Sequence, residues 1–264
     1  MIDSNVTIAI PARYASSRLP GKPLHLLAGK PMLQWVIEAA QAIPHTKLLV
    51  ATDDLRIAAL ASSLHVEALL TPAECSSGTE RIYAALQQLE KKPNYIINLQ
   101  GDAPLTNPDF IQKLIAELSN PHKSAAVVTP AMRLTWQQYD HLVNNKISSP
   151  NSGTLCIKGH DDLALWFSKQ IIPAVRNIEN LRKKSPYSPY LQHLGLYGYT
   201  YAALEQFVNL PTSMYEELEC LEQLRFLENN IPIKLVMIEG DSSLWSGVDT
   251  IDDAHTVDKI LSKK

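Results

Sequence analysis

"VTIAIPARYASSRLPGKPLHLLAGKPM", residues 6–32, is the stretch on which the fold turns. Val6 to Ile10 is an apolar run of strand length, short enough to be buried on both sides. It leads directly into a segment that carries Arg13, Arg18, Lys22 and Lys30 with no acidic residue before Glu38. Clustered cations on one loop repel each other, so the loop reads as a receptor for a polyanion. Gly21 and the small residues Ala12, Ala15, Ser16 and Ser17 allow close approach to the backbone. Prolines 11, 20 and 23 stiffen the loop and reduce the entropy lost on binding.

Working outward, the spacing predicts a helix over Met32–Ile43 with Pro31 near its first turn, then a strand over Lys47–Ala51. Thr52-Asp53-Asp54 can cap a helix over Leu55–Leu64. Strands at Val66–Leu70 and Tyr95–Leu99 follow, separated by a helix over Thr79–Leu89. This alternation predicts an α/β fold with a mostly parallel central sheet flanked by helices, whose ligands bind beyond the carboxyl ends of the strands. Four loops there hold the most distinctive residues: the basic loop, Thr52-Asp53-Asp54, "CSSGTER" at 75–81 and "NLQGDAPL" at 98–105. The second half is less regular, with strands near 125–128, 154–157, 196–199 and 233–238 and helices near Pro108–Leu118 and Tyr215–Glu228. Asn177 to Tyr190, rich in Lys, Arg, Ser and Pro, reads as a long surface loop. One domain over 1–264 is expected.

The 264 residues carry a net charge of −3, which argues against a general nucleic-acid binder. Cys75, Cys156 and Cys220 are odd in number and lack metal-ligand spacing, so a reducing cytoplasm is expected. The N-terminus lacks the charge and apolar length of a signal peptide, and no run approaches the roughly 18 apolar residues of a membrane span.

The polyanion is narrowed by exclusion. There is no GxxxxGK[ST], and no GxGxxG follows a predicted strand. Two guanidinium groups and an ammonium spread over ten residues, Arg13 to Lys22, suit a triphosphate better than they suit a merely solvated surface. Asp102 alone would be a turn former, but opposite a triphosphate loop it is what Mg²⁺ needs. Asp249 is weighed evenly as a second magnesium carboxylate or a helix N-cap.

The pieces "IPARYASSRLPGKPL", "VATDD", "SSGTERI", "NLQGDAPL", "HLGLYGY", "LECLEQLR" and "GVDTIDD" stand in the order of the 3-deoxy-D-manno-octulosonate cytidylyltransferases, which the chain resembles over nearly its whole length. The resemblance implies a nucleotide-diphospho-sugar transferase (Rossmann-like) fold, with a nucleotide-binding part about 1–120 and a sugar-acid-binding and dimerisation part about 121–264, and a homodimer that needs Mg²⁺. The implied reaction joins CTP to the sugar acid Kdo, giving CMP-Kdo and pyrophosphate for lipopolysaccharide synthesis. It makes Arg13, Arg18 and Lys22 a triphosphate clamp, with Ala12 near the nucleotide. Ser77, Gly78 and Arg81, with Thr52 and Asp53 beside them, become the cytidine end. Asp102 and Asp249 become the metal pair, and Asp102 the residue whose metal activates the attacking hydroxyl. Gln100, Lys169, His193, Glu222 and Gln223 fall on the sugar-acid side.

Three departures bear on the acceptor. Ala103 stands where the family commonly has Glu or Gln. Lys169 replaces an arginine, exchanging a bidentate guanidinium for a point charge. "NSGTLCIKG" at 151–159 replaces a Val-Lys-Val strand. They leave open a modified Kdo such as 8-amino-Kdo, another ulosonic acid, or a catalytically weak nucleotide-binding paralogue. UTP or dTTP as the nucleotide would call for a GGxGTR loop, which is absent.

Overall fold

Seven consecutive buried residues form β1, Val6–Ala12, and the sheet is assembled around it. The structure is a computed structural model that describes residues 5–16, 18–120, 125–240 and 247–263. Ser17, counted above among the small loop residues, lies outside them. After β1 the loop closes through a short turn at Lys22–Leu24 and a two-residue ribbon, β2 (Leu26–Leu27) and β3 (Lys30–Pro31). The predicted alternation then follows: α1 (Met32–Gln41), β4 (Lys47–Thr52), α2 (Leu55–Ser63), β5 (Glu67–Leu70), α3 (Gly78–Gln87), β6 (Tyr95–Leu99) and α4 (Pro108–Leu118). Strands β5, β4, β1 and β6 are neighbours in that order, and every pairing among them is parallel.

The second half joins the same sheet largely through antiparallel pairings. It runs β7 (Val127–Thr135), α5 (Trp136–Ser148), β8 (Thr154–Lys158), β9 (Ala164–Ser168), α6 (Ile178–Lys184), β10 (Tyr187–His193) and β11 (Leu196–Thr200). It continues through α7 (Tyr201–Asn209), α8 (Met214–Glu219), α9 (Gln223–Glu228), β12 (Ile233–Ile238) and α10 (Ile251–Leu261). β11 pairs antiparallel with β6 and with the start of β7, while β10 pairs with the end of β7 and leads through β8 to the edge strand β9. β12 lies parallel to β7. The central strands are thus mostly parallel within a mixed sheet.

Pleating sends alternate β1 side chains to opposite faces. Ile8 and Ile10 pack with Leu33 and Val36 of α1, Ile57 of α2 and Ile111 of α4. Ala9 faces Ile82 of α3, Leu204 and Phe207 of α7 and Phe226 of α9. Each fully buried large side chain contributes about 1.5–3 kcal/mol, so both helical layers are held by β1 and its neighbours. A third cluster joins Leu19 and Leu27 of the basic segment to Val248 and to Ala254 and Val257 around α10, which brings the C-terminal segment to the loop after β1.

Two sequence expectations are corrected. The stretch 177–190 is not a loop: α6 and the start of β10 occupy it. α6 buries none of its residues, so it shows no apolar stripe to read. The single helix expected over 215–228 is two, because Cys220 takes a left-handed conformation with φ 51°. Among the described residues, no helix is long and apolar enough to cross a membrane.

Candidate active site

The carboxyl ends of β1 and β6 open into one cleft of about 320 Å³. On its first wall β1 ends at Pro11 and Ala12 and hands over to the basic loop. The loop is held in shape by its own backbone: Gly21, at φ 68°, donates its N–H to the Tyr14 carbonyl at 3.2 Å. Arg56 of α2 stacks over the Tyr14 ring at 3.5 Å, and its pairing with Asp54 holds that carboxyl down at about 2. Arg13, exposed, and Arg18 stand on the rim, and Lys22 reaches the floor.

The floor is made by the turn after β6. A Cβ on Gly101 would stand 2.7 Å from the Pro11 carbonyl, so only glycine lets this turn lie against β1. That approach places Asp102 beside Lys22, whose Nζ is 2.6 Å from Asp102 Oδ2. The C-terminal segment comes to the same point, with the Val248 N–H bonded to the Asp102 carbonyl at 2.9 Å. Asp249 Oδ1 then lies 3.1 Å from Lys22 Nζ and 3.1 Å from an Arg18 nitrogen. Burial alone would lower the Lys22 pKa, but the two carboxylates outweigh it and hold the ammonium above its ordinary value. Of the two readings of Asp249, the N-cap falls away, because Thr250 caps α10, accepting from the Asp253 N–H in a capping box. The Asp249 carboxylate is therefore directed to the cleft.

The opposite wall is the start of α3, with Cys75, Ser76, Ser77 and Gly78. Ser77 caps this helix by accepting from the Glu80 N–H. Arg81 is buried, yet it lines the cleft and is fixed on three oxygens. Its NH1 donates to Thr71 Oγ1 at 2.7 Å and to the Pro72 carbonyl at 3.4 Å, and its NH2 pairs with Asp53 Oδ2 at 3.0 Å. Asp53 thus acts behind the wall rather than on it. Thr52 is fully buried, its hydroxyl accepting from the Asp54 N–H.

Glu222 closes the far end. Burial pushes its carboxyl up, against hydrogen bonds from Thr79 and Ser77 that favour the charged form. Gln100 is tied into the same network, its amide donating to Asn98 at 2.7 Å while Asn98 donates to Thr79 at 3.3 Å. His193 and Gln223 do not line the cleft. Gln223 sits one layer behind it, accepting from the Tyr197 hydroxyl at 2.8 Å. The His193 ring packs against Phe167 and Tyr197, with Nε2 2.9 Å from Thr129 Oγ1. Burial drops the His193 pKa to about 3, so it is neutral at physiological pH. Lys169 follows β9, away from the cleft-lining residues. Its N–H is held by Glu219 Oε2 at 2.8 Å and its carbonyl by Lys146 at 2.6 Å.

Sequence reading thus named Ala12, Arg13, Arg18, Lys22, Ser77, Gly78, Arg81, Gln100, Asp102, Glu222 and Asp249, all of which border this cleft. It missed Thr71 and Thr79, which orient Arg81 and Glu222. An isolated threonine at a strand end or in a helix's first turn has no pattern that would single it out. Chemically, the cleft presents three cations and two carboxylates at one end and small residues with a buried guanidinium at the other.

A sequence profile described as Cytidylyltransferase matches residues 7–235. The 3-deoxy-manno-octulosonate cytidylyltransferase of Maricaulis maris is 38% identical over 260 residues, covering 98% of this chain and 97% of that protein. The protein of the same name from Acidobacterium capsulatum is 35% identical over 265 residues, covering 100% and 99%. Among solved structures, CMP:2-keto-3-deoxy-manno-octonic acid synthetase complexed with CTP superposes with a TM-score of 0.83 at 32% identity, covering 98% of each chain. The 4-diphosphocytidyl-2C-methyl-D-erythritol synthase of Anaerococcus prevotii shares the fold alone, with a TM-score of 0.59 at 12% identity and coverage of 98% and 99%.

Proposed function

The chain belongs to the 3-deoxy-manno-octulosonate cytidylyltransferase family, its reaction is the joining of CTP to 3-deoxy-D-manno-octulosonate (Kdo), and from that premise we propose how its residues divide the work. The observation that carries the proposal is the meeting of Lys22 with both Asp102 and Asp249 in a cleft whose other wall is Ser77, Gly78 and Arg81. Arg13, Arg18 and Lys22 receive the triphosphate. Their charge lies where negative charge builds on departing pyrophosphate, and fixed charges there need no reorganisation as the transition state forms. Gly78 and Ser77 leave room for the flat base, and Arg81 donates to its acceptor edge from a position fixed by Asp53 and Thr71.

Asp102 and Asp249 would hold Mg²⁺. Both carboxylates reach a single cation in this structure, and no histidine or cysteine joins them in a three-ligand group among the described residues. A hard, all-oxygen pair of this kind suits an ion that takes one or two carboxylates and completes its shell with phosphate oxygens and water. When bound, the ion neutralises phosphate charge and acidifies a hydroxyl it contacts. Gln100 and Glu222 hold the acceptor's hydroxyls through the network with Asn98 and Thr79. His193 and Gln223 support this side from behind through Tyr197. Binding both substrates in one cleft sets the anomeric hydroxyl in line with the α-phosphorus.

The reading extends to a homodimer in the cytoplasm. The three free cysteines suit a reducing compartment. Leu165 on the edge strand β9, with Met214 and Leu218 on the adjoining α8, supports a second copy at that edge.

The test is Asp102→Asn. CMP-Kdo formation should fall by at least about a hundredfold while circular dichroism and the melting temperature stay near wild type. Full wild-type turnover in chelator, with no divalent metal added, would contradict the metal assignment. Pyrophosphate release with UTP or dTTP exceeding that with CTP would contradict the base assignment.

A further inference from the structure

Lys22 occupies an unusual place for a phosphate-binding residue. Its ammonium stands 2.6 Å from one proposed metal carboxylate and 3.1 Å from the other, and only 16% of its side chain is exposed. A divalent ion held by Asp102 and Asp249 would draw on the same two carboxylates, whose Oδ2 and Oδ1 atoms Lys22 already occupies. The two cations cannot share those oxygens at such range without strong repulsion, because like charges a few ångströms apart in a half-buried site are weakly screened. Arg18 adds a second positive charge on Asp249 Oδ1. An incoming triphosphate supplies the anion that draws Lys22 off the carboxylates. From this geometry we infer that Lys22 is a placeholder cation which makes metal binding at Asp102 and Asp249 conditional on nucleotide. The coupling is reciprocal: metal on the carboxylates frees Lys22 for phosphate, so each ligand tightens the other. The bland reading of the contact is a tie that fastens the loop after β1 to the C-terminal segment. That reading predicts loss of stability on removing Lys22, but no gain in metal affinity.

This inference rests on the reading of Asp102 and Asp249 as metal ligands, and metal binding rather than turnover tests it. Nucleotide-free protein is titrated with MnCl₂, with free Mn²⁺ followed by its paramagnetic resonance signal. Lys22→Met should bind Mn²⁺ at least about tenfold more tightly than wild type, since it removes a charge that competes for the same oxygens. Lys22→Arg, which keeps the charge, should bind as weakly as wild type, and Lys22→Met with Asp249→Asn should lose the gain. Lys22→Gln repeats the measurement should the methionine variant not fold. Equal Mn²⁺ affinity in wild type and the neutral variants overturns the inference, as does tight binding by Lys22→Arg. The function proposed above fails separately: Asp102→Asn that keeps turnover would remove the metal assignment, whatever Lys22→Met does.

Discussion

Arg81 shows how one residue's role depends on groups the reactants never touch. Its side chain is 3% exposed and its partner Asp53 14% exposed, so the pair is dry. Removing one member of a buried ion pair leaves the other charge uncompensated, which costs about 3–5 kcal/mol. Asp53→Ala should lower stability by that amount in urea denaturation. It should also raise the KM for CTP more than the KM for Kdo, because only the Arg81 end of the cleft, proposed above to hold the base, is released. A rise confined to Kdo would show that Arg81 faces the other substrate. His193 carries a second residue-scale prediction. Its folded pKa of about 3 lies below the ordinary 6.5, so the unfolded chain takes up a proton first as pH falls. Stability is therefore lost from about pH 6.5 downward until the native ring also titrates, on the order of 5 kcal/mol in all. His193→Gln should flatten the slope of unfolding free energy between pH 6.5 and 4, measured by urea titration at each pH. An unchanged slope would place the proton uptake elsewhere.

At the scale of elements, the site is made where strands end and the chain must turn. The turn after β6 is the tightest of these, since Gly101 rests against the Pro11 carbonyl. Gly101→Ala must push the two loops apart. The expected cost is about 1–3 kcal/mol in stability, with a larger loss of turnover because Asp102 rides on the same turn. Differential scanning calorimetry beside initial rates checks this, and a variant with wild-type stability and rate would show that the turn has slack. Up to residue 118 the four strands β1, β4, β5 and β6 and the four helices α1 to α4 were legible because their apolar periods are clean, and their bounds moved by at most two residues, whereas the two-residue strands β2 and β3 are too short to show a period. The second half read poorly for particular reasons. α5 buries only Trp136 and Leu142, α6 buries nothing, and the helix pair α8 and α9 is one continuous pattern interrupted by the backbone of Cys220. β9 exposes Leu165 at the sheet edge, where alternation ceases to report on a core.

Across the whole molecule, the sheet is continuous from β5 to β9, because β11 of the second half pairs with β6 of the first. Its β9 end is open. Leu165, Met214 and Leu218 there are 60%, 60% and 71% exposed, a large apolar area to leave in water at an unpaired edge. If this edge is the dimer contact, Leu165→Lys with Leu218→Lys should shift the sedimentation coefficient from dimer to monomer and leave the melting temperature near wild type. An unchanged dimer would move the interface elsewhere on the surface.

Taken by itself, the sequence determined the alternation of strands and helices, the basic loop after β1 and the acidic turn after β6. These follow from side-chain periodicity and local turn chemistry, which act over a few residues. The tertiary structure decided which charges meet. Lys22 is 80 residues from Asp102 and 227 from Asp249, and no local pattern links them. Their contact exists because the apolar face of α10 packs on Leu19 and Leu27 and draws the C-terminal segment back to the first loop. The same closure brought Asp249 to Lys22 and Arg18, while the cap of α10 fell to Thr250. Electrostatic partners so far apart in the chain are chosen by the packing that brings them together.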